Sequence, residues 1–198
     1  SAMAQPIWQW SAVDTAAAIR TGKITAQEAV DAALSRMAET NDAVNAVTVD
    51  LGVDAQQAAR QADDIVKSGV ALGSLHGVPV TIKENVDQAG QATTNGVPAF
   101  ADVLAETDSP VVANMRKAGA IIIGRTNTPE FSLRWFTDNP LRGLTKNPWR
   151  DDITPGGSSG GAASAVALGI GAIAHGNDLG GSLRYPAYAC GLATIRPS

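Results

Sequence analysis

The spacing of apolar positions changes near residue 75. Over residues 11–70 the apolar positions recur at helical intervals. Ser11 starts a first helix as N-cap, with Asp14 three residues on and Gly22 as the stop. Thr25 and Glu28 form a capping box for a second, on which Ala29, Ala33, Leu34 and Met37 line one face. Residues 54–69 give a third, ending at Gly69. From Leu75 the period shortens. Val78, Val80 and Ile82 alternate as in a strand, and Ala120–Gly124 is a short continuous apolar run, as in a strand buried on both faces. Between them lies a helix with Asp108 or Ser109 as cap, Pro110 in its first turn and Gly119 as stop. A small-residue helix and another short strand are expected between Ser158 and Ser182. Strands alternating with helices predict an α/β fold: a mixed, largely parallel sheet covered by helices, behind an N-terminal helical region over residues 4–74. Residues 125–155, with Pro129, Pro140, Pro148 and Pro155, read as a long connection, and long connections tend to be functional.

Composition narrows this picture. The chain has 198 residues, 44% hydrophobic and 17% charged, which suits one globular domain with a real core. Its 20 glycines and abundant alanine point to close backbone packing. A net charge of −4 without a dense Lys/Arg cluster argues against a nucleic-acid surface. No apolar run has the length of a membrane span. A single cysteine, Cys190, allows no internal disulfide and fits a reducing compartment, here expected to be the cytoplasm. Residues 1–10 lack the pattern of a secretory signal, and Ser1-Ala2-Met3 reads as a leftover of cloning.

The chemistry concentrates in two glycine-serine stretches and one lysine. In Gly156-Gly157-Ser158-Ser159-Gly160-Gly161, a free linker is disfavoured because an Ala/Val/Leu run follows at once. A phosphate loop fails because Ala162, not lysine, follows Gly161. The pattern G-x-S-x-G of a nucleophile elbow matches, but its acid and histidine partners do not follow. The two histidines are His76, which precedes the motif, and His175, which follows too soon; both read as structural or incidental. A serine here therefore needs another base. Lys83 ends the strand that contains Val80 and Ile82, where desolvation would depress its pKa. The plainer reading is a solvated lysine at a strand terminus. In the second stretch, Asn177 to Ala187, Gly180 and Gly181 precede Ser182. They form either an ordinary turn or a set of converging N–H donors suited to an oxyanion.

Taken together, Lys83 after "GVPVTI", "PGGSSGG" and "NDLGGSLRYPA" resemble the amidase signature family. "ATTNG" at 92–96, "GAIIIGRTNTPEF" at 119–131 and "KNPWRDDITPGGSSGG" at 146–161 support the resemblance, which spans nearly the whole chain in the family's order. The resemblance implies a Ser–cis-Ser–Lys triad. Ser182 aligns with the nucleophile, Ser158 with the bridging serine whose preceding peptide is cis, and Lys83 with the base. It further implies an oxyanion hole from the backbone N–H groups of Leu179, Gly180, Gly181 and Ser182. Supporting roles fall to Gly157, beside the cis bond, to Ser159 as a structural residue or a hydrogen-bond donor to the oxyanion loop, to Asp178, which orders that loop, and to Arg184 in an ion pair or on a substrate carboxylate. Cys190 reads as a small buried hydrophobe, and Trp135 and Phe136 as core or acyl-pocket residues. No cofactor or metal is implied. The expected partner is a small-molecule amide, with no direct nucleic-acid or membrane partner.

The chain departs from the family in length. It ends at "GLATIRPS", where family members continue, so it reads as an N-terminal half shortened by cloning, by proteolysis or in nature. A lone half exposes apolar surface, which favours a homo-oligomer or other self-association. Besides a general amidase, two readings stay open: the amidase-like component of a tRNA-dependent glutamyl/aspartyl amidotransferase, and a catalytically inert amidase-like scaffold.

Overall fold

A computed structural model of the chain describes residues 5–84, 86–93, 98–127 and 173–174. Within them, α1 (Ala12–Arg20) and α2 (Ala26–Val44) lead to β1 (Val47–Asp50), followed by α3 (Gly52–Ser68), β2 (Pro79–Lys83), α4 (Pro110–Lys117), β3 (Ile121–Thr126) and β4 (Ile173–Ala174). The helix starts follow from their caps. Ser11 accepts from Asp14 N, and Thr25 and Glu28 form a complete capping box. Of the two candidate caps for α4, Ser109 takes the role, its Oγ accepting from Val112 N. The free N–H groups of Ala26 and Gln27 at the start of α2 donate to the Asp63 carboxylate of α3, joining the two helices end to flank.

The sheet order is β1-β3-β2-β4. β2 pairs in parallel with both β3 and β4, and β1 pairs antiparallel with β3. β2–α4–β3 is thus a βαβ unit, and the sheet is mixed and largely parallel, as the alternation of periods implied. One apolar cluster joins Ile121, Ile123 and Val47 to α2 and α3, with Ala55, Ala59 and Ala62 forming the buried stripe of α3. The other joins Val78, Val80, Ile82 and Ile122 to Val112 of α4 and Ala16 of α1. Alanine on the buried stripe lets the helix lie close to its neighbours. Among the described residues no helix is long and apolar enough to cross a membrane.

The helical reading of residues 11–70 needs one correction: β1 lies inside that span and joins the sheet. Asn45 ends α2 in the left-handed region (φ 52°). Asn41 Oδ1 then accepts from the N–H groups of Ala46 and Val47, turning the chain straight into the strand. The β-branched residues Val47, Thr48 and Val49 favour that extended conformation. β3 also runs further than the apolar segment that signalled it, to Thr126.

Two bulges shape the sheet. Val80 pairs with Ile122 but Thr81 with Gly124, leaving Ile123 as an extra residue in β3. Val47 pairs with Thr126 but Val49 with Arg125, leaving Thr48 extra in β1. Gly124 sits where both meet. A Cβ there would lie 2.5 Å from Val47 Cγ1 and 3.0 Å from Val49 O. Gly124→Ala is therefore expected to destabilise the fold by about 1–3 kcal/mol, the usual cost of overpacking. Chemical denaturation would show it as a lower midpoint at unchanged m-value.

Candidate active site

Lys83 ends β2, and its side chain is wholly buried. Burial strips the ammonium of hydration and lowers its pKa from 10.5 to about 7. The sequence left two environments open for this lysine, and the structure selects the desolvated one.

The bulge at Ile123 decides what stands beside it. Side chains of laterally paired residues leave a sheet on the same face. Lys83 pairs with Thr126, and Ile82 with Arg125. Without the extra residue, Arg125 would stand level with Lys83 and put two buried cations on one face. With it, Lys83 shares its face with Thr81 and Thr126, and Arg125 lies on the other. Thr81, Thr126 and Arg125 are all fully buried. The hydroxyls of Thr81 and Thr126 make no hydrogen bond among the described residues. The extra residue of β1, Thr48, donates from Oγ1 to Oε1 of the buried Glu84 and so ties the residue after Lys83 to the far strand.

Parallel pairing fixes the direction of the neighbouring chain. Ala174 of β4 pairs with Thr81, two residues before Lys83. β2 and β4 run the same way, so the carboxyl end of β4, at Ala174, points to the end of the sheet where Lys83 stands. In sequence, Leu179, Gly180, Gly181 and Ser182 follow Ala174 within eight residues. Sites in open α/β sheets gather at the carboxyl ends of parallel strands. Ser158, Ser182, Leu179, Gly180, Gly181, Gly157, Ser159, Asp178 and Arg184 themselves lie outside the described residues, as do Trp135, Phe136, His175 and Cys190.

His76 is structural. It is buried, and its Nε2–H donates to Ala62 O at 2.9 Å, linking the loop before β2 to α3. Gly119 (φ 89°) passes so close that a Cβ would meet His76 Cα at 2.8 Å. A groove of about 810 Å³ lies between α2, β1 and α3, bounded by Leu34, Asn41, Thr48 and Asp50, and Lys83 is not among its described lining residues. Among the described residues no group of three or more His, Cys, Asp or Glu is placed to hold a metal ion.

Sequence reasoning missed one participant. Arg125 is as deeply buried as Lys83 and holds the segment that leaves β2. The visible signal was a charged residue inside a strand, directly after the apolar run Ala120–Gly124.

Comparison with known proteins sets this geometry in a family. Residues 28–198 match the family described as Amidase. The chain is 65% identical over 193 residues to an indoleacetamide hydrolase of Bradyrhizobium diazoefficiens, covering 98% of this chain and 37% of that protein. It is 39% identical over 191 residues to an acylamidase of Rhodococcus erythropolis, covering 95% and 39%. A glutamyl-tRNA(Gln) amidotransferase component of Endomicrobium trichonymphae is likewise 39% identical, over 180 residues, with 91% and 37% covered. The crystal structure of a bacterial aryl acylamidase of the amidase signature family superposes with a TM-score of 0.88 at 32% identity, covering 92% of this chain and 38% of that one. The chain thus spans under two fifths of the length of these relatives. On the family match and these likenesses, the chain belongs to the amidase signature family.

Proposed function

We propose that the protein hydrolyses a carboxylic amide through a seryl acyl-enzyme, with Lys83 as base, Ser158 as proton relay and Ser182 as nucleophile. One observation carries the reading: a wholly buried lysine, with a pKa lowered to about 7, ends a strand whose parallel neighbour β4 precedes Gly180-Gly181-Ser182 in sequence by only a few residues. A lysine in water at neutral pH is protonated and cannot accept a proton; one with a pKa near 7 can.

Neutral Lys83 takes the proton of Ser158 Oγ, which takes that of Ser182 Oγ. A hydroxyl both donates and accepts, so Ser158 relays in either direction. Ser182 Oγ attacks the amide carbonyl, and the resulting oxyanion faces the N–H groups of Leu179, Gly180, Gly181 and Ser182. The tetrahedral adduct expels the amine, which leaves with the relayed proton. Water, deprotonated through the same relay, then releases the acid and restores Ser182. Gly157, Ser159, Asp178 and Arg184 support this loop. No cofactor or metal enters.

The 65% match favours a small primary amide of an aryl-substituted acetic acid, cleaved to the acid and ammonia, over the amidotransferase reading at 39%. A cytoplasmic setting suits the single Cys190. Turnover of indoleacetamide, read as ammonia release, tests the proposal. Ser182→Ala is expected to lower it by at least about a thousandfold, because the nucleophile is gone. Hydrolysis by Ser182→Ala at the unaltered rate would refute the assignment, and a folded protein inert towards every amide would favour a scaffold.

A further inference from the structure

We infer that Arg125 is a positioning residue for Lys83, acting through the turn that leaves β2. The inference rests on the reading of Lys83 as base. The Arg125 guanidinium donates from Nη2 to Glu84 O (3.1 Å), Val86 O (2.9 Å) and Ala92 O (3.4 Å), and from Nη1 to Gln88 Oε1 (3.0 Å). All four acceptors belong to one segment, residues 84–92, which starts directly after Lys83. Gln88 is buried with it.

The link from Arg125 to Lys83 is short. Val86 N donates to Lys83 O at 3.2 Å, closing the turn on the lysine itself, and Glu84 N donates to Thr126 O at 3.1 Å. Arg125 grips the outer side of that turn through Glu84 O and Val86 O. The middle of the segment is held from α4: Ala89 N donates to Asp108 Oδ1, whose other oxygen pairs with Arg116 Nε at 2.9 Å, and Ser109 N donates to Asp87 O. The described residues between Glu84 and Ala92 thus form a strap, held at both ends by the buried cation and in its middle by the start of α4.

The chemistry favours arginine in this place. Several carbonyls of a turn converge where the sheet ends, and a buried carbonyl left without a donor forfeits the hydration it had in the unfolded chain. A planar guanidinium with five N–H donors serves several acceptors at once, which one compact ammonium does not. The bulge at Ile123 sends this cation to the face opposite Lys83. Arg125 therefore shapes the backbone around Lys83 while its charge stands off the lysine's face.

The test compares Arg125→Met with Val112→Ala. The control thins the apolar cluster on the Arg125 face and leaves the strap's hydrogen bonds intact. Arg125→Met is expected to speed amide hydrogen exchange over residues 86–92 by about tenfold or more, relative to the control, and to open Lys83 to a water-soluble amine-modifying reagent by a similar factor. In turnover, kcat falls with KM held within about twofold, because the base is displaced and the substrate contacts are not. Arg125→Lys serves as the second variant should Arg125→Met fail to fold, with the same changes expected at smaller size. Exchange and Lys83 modification equal to those of Val112→Ala would overturn the inference, as would a rise in KM at constant kcat. Neither exchange nor modification depends on amide turnover. Activity retained in Lys83→Met would end the base assignment while leaving the strap measurement valid.

Discussion

Replacing Lys83 by methionine is expected to stabilise the fold at pH 7 by up to roughly 4 kcal/mol, at about 1.4 kcal/mol per pKa unit, less whatever the amine's own contacts contribute. The lysine sits wholly buried with a pKa lowered from 10.5 to about 7. Between those two values the unfolded chain binds a proton that the folded chain does not. By linkage, the stability of the native sequence then rises with pH from about 7 to 10.5, by up to about 1.4 kcal/mol per unit from this group. Below pH 7 the full penalty of burying the ammonium is present; above 10.5 it vanishes. Methionine matches the aliphatic stem and has no proton to lose, so the slope contributed by position 83 disappears. Denaturant midpoints of both proteins across pH 6 to 10 check this. Parallel pH dependences would show that Lys83 titrates like a solvated lysine.

The second large effect is on turnover. Lys83→Met is expected to reduce amide hydrolysis by at least about a thousandfold while leaving the protein better folded, a combination that excludes unfolding as the cause. In the native sequence, kcat/KM should fall tenfold per unit as pH drops below about 7, since only neutral Lys83 accepts the proton of Ser158. The limb reports the free enzyme, so it is insensitive to the choice of amide. A rate that stays flat down to pH 5 would mean that the base is another group. The two effects share one cause: the desolvation that readies the lysine for catalysis is the same desolvation that weakens the fold.

The framework of this fold is legible in the sequence wherever local chemistry is strong. Ser11, Thr25 and Glu28 mark helix starts because the first N–H groups of a helix need acceptors close in sequence. Pro110 and Gly119 bracket α4 for equally local reasons. Val80 and Ile82 reveal β2 because alternate residues of a strand share one environment. β1 escaped because it is only four residues long and closely follows a long helix, and its pairing partner β3 lies far away in sequence. The bulge at Ile123 escaped for a related reason. A continuous apolar run carries no alternation, so its register shift leaves no trace. That one-residue shift separates Lys83 from Arg125, and with it the role of Arg125 was hidden. The lysine itself was found as a strand-end residue, and its burial became evident only from the packing around it.

Labelling with a fluorophosphonate probe, followed by peptide mapping, tests the central claim most directly. The proposed site predicts one modified residue, Ser182, in the native sequence and loss of that modification in Lys83→Met. Labelling at Ser158 instead, labelling nowhere in folded protein, or undiminished labelling in Lys83→Met would contradict it.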